Sequence, residues 1–74
     1  MIPRTQIIGR LRDEHFSHSD EGKRTEILRQ HGTGVYVGVP FRKSYTPQEA
    51  AQILKQAKLS PEKIEQFLAD CLKD

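Results

Sequence analysis

Hydrophobic positions recur with two different periods along this chain, and the changes of period mark its elements. Ile7, Ile8 and Leu11 fall at helical spacing while Arg10, Arg12, Asp13 and Glu14 fill the other positions, so an amphipathic helix is expected over about residues 4–14, behind Pro3. His15 continues the Leu11 stripe and is expected to pack at the end of that helix. The period then disappears. A short strand is expected over His15–His18, followed by a turn at Ser19-Asp20-Glu21-Gly22, which is built from turn-forming residues.

From Thr25 onward the period is two. Thr25, Ile27 and Arg29 alternate with Glu26 and Leu28, and Val35, Val37 and Val39 alternate with Tyr36 and Gly38. Between the runs, Gln30-His31-Gly32-Thr33-Gly34 contains two glycines, which supply the positive φ that a tight reversal needs. The two runs therefore form an antiparallel hairpin, and Pro40, which has no N–H for a ladder, ends the second strand or marks it as an edge. With the valines facing the core, Tyr36 stands on the open side of the sheet. There an aromatic ring serves a base, a protein partner or an ordinary cross-strand pair.

The helical period returns after residue 45. Thr46-Pro47-Gln48-Glu49 combines a capping threonine, a proline at the first helical position and a glutamate placed to complete a capping box. Ala50, Ile53, Leu54 and Ala57 then mark one face. The helix breaks near Leu59, Ser60-Pro61 repeats the start signal, and Ile64, Phe67, Leu68 and Cys71 repeat the spacing. Helix, three strands, helix, helix is an α+β order. A three-stranded antiparallel sheet has one face to bury, and helices laid on that face complete a two-layer sandwich.

Composition narrows the picture further. With 74 residues and 35% hydrophobic content, the chain has apolar material for one modest core, and a single domain over residues 1–74 is expected. No apolar run reaches the length of a signal peptide or a membrane span, and one cysteine cannot make an internal disulfide, so a cytosolic protein with no membrane partner is expected. Cys71 lies on an apolar stripe and reads as a packed thiol. His15, His18, His31 and Cys71 are not spaced as metal ligands, and no cofactor motif is present; Gly32-Thr33-Gly34 precedes a strand and lacks the Lys-Ser or Lys-Thr of a phosphate loop.

Charge is the more informative quantity. The net charge of +2 is mild, but residues 1–58 hold ten Lys and Arg against six Asp and Glu, whereas residues 59–74 hold two against four. A polyanion would therefore be held by the first three quarters of the chain. Lys23, Arg24 and Arg29 with Arg42 and Lys43 are the candidate phosphate contacts, although strand parity puts Arg29 with Thr25 and Ile27 and puts Arg24 with Glu26 and Leu28. The plainer alternative is a solvated surface that keeps a small domain in solution.

Several of these stretches, taken in order, resemble a known family. A strand, a glycine turn, a strand closed by Val39-Pro40, a basic loop, and then the stretch Ile53–Leu68, which opens with Ile53-Leu54-Lys55-Gln56-Ala57 in the following helix, are similar to the HicA-type toxins of bacterial toxin-antitoxin pairs. The resemblance spans about Ile7 to Leu68. It implies a double-stranded-RNA-binding-domain-like αβββα fold, here with an extra C-terminal helix, and it implies binding and cleavage of messenger RNA and a HicB-type antitoxin as partner. The family's catalytic histidine belongs to a Gly-Ser-His stretch, and the matching residues here are Gly22-Lys23-Arg24. Metal-free scission of RNA needs a group that takes the 2′-hydroxyl proton and another that returns one to the leaving oxygen, and imidazole titrates in the useful range. A guanidinium has no acceptor lone pair, so Arg24 can hold phosphate but cannot act as the base.

Three functions from different classes follow as expectations. The first is an RNA-binding module using Lys23, Arg24, Arg29, Arg42 and Lys43, and the Arg24 departure places it ahead. The second is a metal-independent endoribonuclease in which His18, just ahead of the turn, or His31, in the hairpin turn, replaces the missing histidine. The third is a protein-interaction domain that docks a partner through the acidic last helix or an exposed sheet edge.

Overall fold

A computed structural model of the chain describes residues 1–72. Its elements are β1 (Ile2–Pro3), α1 (Arg4–Asp13), β2 (Phe16–Glu21), β3 (Thr25–Gln30), β4 (Tyr36–Pro40), β5 (Ser44–Tyr45), α2 (Pro47–Gln56) and α3 (Pro61–Cys71). β2, β3 and β4 make an antiparallel sheet in that order, and β1 pairs with β5 as a separate antiparallel ribbon. The α+β class, the three-stranded sheet and the three helices agree with the sequence pattern.

The alternation in β3 and β4 decides which face is covered. Leu28 pairs with Val37 and Glu26 with Val39, and Leu28, Val37 and Val39 are buried together with Ile7 and Leu11 of α1, Ala50, Ile53 and Leu54 of α2, and Phe67 of α3. On the other face, Arg29 pairs with Tyr36 and Ile27 with Gly38. Tyr36 is 58% exposed there, as the valine parity requires. Residues with side chains packed over Gly38 explain the glycine: a Cβ at that position would lie 3.2 Å from Thr25 Cγ2.

The N-terminal part of the sheet departs from the sequence reading. β2 extends to Glu21, so Ser19-Asp20-Glu21 is strand and the reversal falls on Gly22–Arg24, closed by Gly22 N–H donating to Thr25 O at 2.8 Å. A register shift between His18 and Asp20 absorbs Ser19 as a bulge, which lets this polar stretch remain in the ladder. His15 is a second correction. It is exposed, with φ of 71°, because the chain reverses there out of α1; its carbonyl accepts from His31 N–H at 2.9 Å instead of its ring packing on the Leu11 stripe. The β1–β5 ribbon has no counterpart in the sequence reading. Its residues Ile2 and Tyr45 pair directly and are both fully buried.

The helix ends carry their own signals. Thr46 accepts from Glu49 N–H and Glu49 returns a bond to Thr46 N–H, completing the capping box of α2, while Ser60 accepts from Lys63 N–H to start α3. Between them Lys58 takes φ of 66° and Leu59 is tucked into the core. Among the described residues no helix is long and apolar enough to cross a membrane.

Candidate nucleic-acid interface

Two loops and a helix start meet at one end of the sheet. Phe41 N–H donates to Arg24 O at 2.9 Å, which sets the β2–β3 turn beside the segment that follows β4. Arg4 N–H, an orphan donor of the first turn of α1, reaches Lys43 O at 2.9 Å, which ties that segment to the helix. Lys23, Arg24, Arg42 and Lys43 are all exposed at this end. Lys23, Arg24 and Lys43 make no ion pair among the described residues, whereas Arg42 pairs with Glu49 at the start of α2. The first turn of α1 itself carries no acidic residue.

Behind these cations lies a network that the sequence reading did not single out. Glu26 has the parity of Leu28 and therefore points to the covered side of the sheet, where a lone carboxylate would be costly. Arg4 meets it: one guanidinium nitrogen binds Glu26 Oε1, and the other donates to Pro40 O at 3.0 Å and Tyr45 Oη at 2.8 Å. The Tyr45 hydroxyl itself donates to Pro40 O. Arg4 also lies over the ring of Phe41, 5.0 Å from its centroid. Arg4 is thus committed to holding the loop, and the exposed cations around it are free to act outward.

The second oxygen of Glu26 holds His18. Nδ1–H of the imidazole donates to Glu26 Oε2 at 2.8 Å, and half of the His18 side chain is open to solvent. A carboxylate on Nδ1 leaves Nε2 of the neutral ring as a directed acceptor. The bulge at Ser19 contributes, since it shifts the later residues of β2 and puts Glu21 opposite Glu26. Two carboxylates facing each other across a ladder repel, and Arg4 and His18 on Glu26 offset that repulsion.

The other candidate residues lie elsewhere. Arg29 is on the open face of the sheet, next to Ser17 and Tyr36, five residues along β3 from Arg24, or about 17 Å of strand. His31 bonds through Nε2 to Ser17 Oγ at 2.9 Å on that same face, so His18 and His31 sit on opposite sides of the sheet. The structure therefore gathers Lys23, Arg24, Arg42 and Lys43 with His18 behind them, and it sets Arg29 and His31 apart. Cys71 is remote on α3, where burial and then the neighbouring Asp70 push its thiol up and keep it protonated near neutral pH. No cluster of metal-ligating side chains occurs among the described residues.

Two of the missed residues had a readable sign. Glu26 faces Val39, a member of the valine row, across the hairpin, and Phe41 is an aromatic residue placed between a strand-ending proline and two cations. Arg4 and Tyr45 had none, because their roles depend on the ribbon that brings the start of the chain beside residues 44–45. No family model, curated protein or solved structure matches this chain.

Proposed function

We propose that this protein binds RNA through the basic end of its sheet, with Lys23, Arg24 and Lys43 contacting phosphates and Arg42 contributing from its pair with Glu49. The observation that carries the reading is the pair of backbone hydrogen bonds, Phe41 N–H to Arg24 O and Arg4 N–H to Lys43 O, which join two cation-bearing loops to the start of α1. Cations on separate loops held this way follow a backbone of regularly spaced charges, and they act without reading sequence. The helix-backed three-stranded sheet is compatible with a double-stranded-RNA-binding-domain-like placement and with the HicA-type resemblance, in which Arg24 stands at the place of the family's histidine. In this reading the protein works in the cytoplasm, where messenger RNA is available.

Titration of a labelled RNA of mixed sequence tests it. Lys23→Gln, Arg24→Gln and Lys43→Gln should each weaken binding, while Lys58→Gln, in the α2–α3 connection, should leave it unchanged. Absence of binding at low salt rejects the proposal.

A second reading, cleavage by this same end, is favoured by the His18–Glu26 pair. Nε2 of His18 would take the 2′-hydroxyl proton while Glu26 steadies the imidazolium that forms. The reading still needs a second titratable group to protonate the leaving 5′ oxygen, and His31 lies across the sheet. Binding therefore ranks first. Cleavage of RNA in EDTA that is lost in His18→Ala and kept in His31→Ala would reverse the order.

A further inference from the structure

Phe41 is a large apolar side chain left 47% exposed in the middle of the cation cluster, between Pro40 and Arg42. Its backbone is fixed by the bond to Arg24 O, and its ring is backed by the Arg4 guanidinium at 5.0 Å. That guanidinium cannot drift, because Glu26, Pro40 O and Tyr45 Oη hold it. The result is an aromatic platform with one side supported and a solvent-facing side, bordered by Arg24, Arg42 and Lys43. Folding alone does not require this arrangement, since a polar side chain at a half-exposed loop position would leave less apolar surface in water.

We infer that Phe41 stacks on an unpaired base, so that the RNA taken by this site is single-stranded. The inference rests on the RNA-binding reading above and adds its substrate class. A base in a duplex is covered on both faces by its neighbours, whereas an unpaired base offers a π-face to an aromatic ring while the flanking phosphates stay within reach of the cations. Stacking of this kind adds affinity without adding charge, so it separates cleanly from the electrostatic part of binding.

Three RNA probes of equal length separate the possibilities: an unstructured single strand of mixed sequence, the corresponding duplex, and an abasic ribose-phosphate strand. The wild-type chain should prefer the single strand to both others. Phe41→Ala should weaken single-strand binding by roughly 5- to 150-fold, the range expected for one stacked base, and should leave abasic binding and the salt dependence unchanged. Phe41→Leu, which keeps the apolar bulk and the fold but not the aromatic face, should behave as Phe41→Ala does. The native sequence has no tryptophan, so Phe41→Trp supplies a single reporter. Its emission should be quenched by the base-bearing strand and not by the abasic one, with affinity retained.

Equal binding of the single strand by wild type, Phe41→Ala and Phe41→Leu overturns the inference, as does a duplex bound as tightly as the single strand. Wild-type binding of abasic and base-bearing strands with equal affinity overturns the stacking and leaves the phosphate reading intact. No binding of any probe at low salt removes both.

Discussion

At the scale of single residues, the most consequential placement is that of Glu26. A carboxylate on the covered side of a strand is tolerated because Arg4 and His18 take its two oxygens, and Arg4 in turn fixes Pro40 and Tyr45. With the Arg4 and Glu26 side chains 22% and 17% exposed, the pair is partly screened by water. Removing the carboxylate should therefore cost less than breaking a fully buried pair: Glu26→Ala is expected to lower stability by about 1–3 kcal/mol, seen as a lower urea midpoint with an unchanged slope. An unchanged midpoint would show that the network does not hold this end of the sheet together. The sequence made Arg24 and His18 visible, because cations beside a turn and a histidine near them are readable by type. It left Arg4 hidden, because an arginine in the first turn of a helix looks like any solvated charge until the partner from β3 is known.

Among the elements, helix starts were the most legible. Thr46-Pro47-Gln48-Glu49 forms the reciprocal cap that its spacing announces, because both bonds are made within a few residues and need no distant partner. Thr46→Ala should destabilise the fold by about 1 kcal/mol in thermal or urea unfolding. Glu49 adds a pH dependence. The bond from Thr46 N–H, outweighing the opposing effect of burial and aided by Arg42, holds its carboxyl below the ordinary value of 4.5. A carboxyl that is more acidic when folded stabilises the fold fully above its unfolded value, and that contribution disappears as pH falls through the lower folded value. The difference in stability between wild type and Glu49→Gln should therefore be constant near neutral pH and shrink as pH is lowered below about 4.5. A difference that persists at low pH would contradict the role of the ionised carboxylate. Strands were legible where burial imposed alternation, as in Leu28 and in Val37 and Val39. They were illegible in β2, whose residues past Phe16 are exposed and carry no pattern, and in β1 and β5, which are too short to show one.

For the whole molecule, the architecture follows from one covered sheet face and three amphipathic helices, and this much was readable from the two hydrophobic periods. The convergence of charge was not, because it depends on which loops share an end of the sheet. Sequence proximity links Arg29 to Lys23 and Arg24, yet strand length carries Arg29 to the far end and onto the open face. Arg42 and Lys43, more than ten residues further along the chain, arrive beside Arg24 instead. The measurement that tests the account most directly is RNA affinity as a function of salt for wild type and for Lys23→Gln/Arg24→Gln/Lys43→Gln. A logarithmic plot should fall linearly for wild type, and the triple variant should lose about 2 from the magnitude of that slope, at roughly 0.7 per single-strand phosphate contact. A wild-type affinity indifferent to salt, or a slope that the triple variant leaves unaltered, would contradict it.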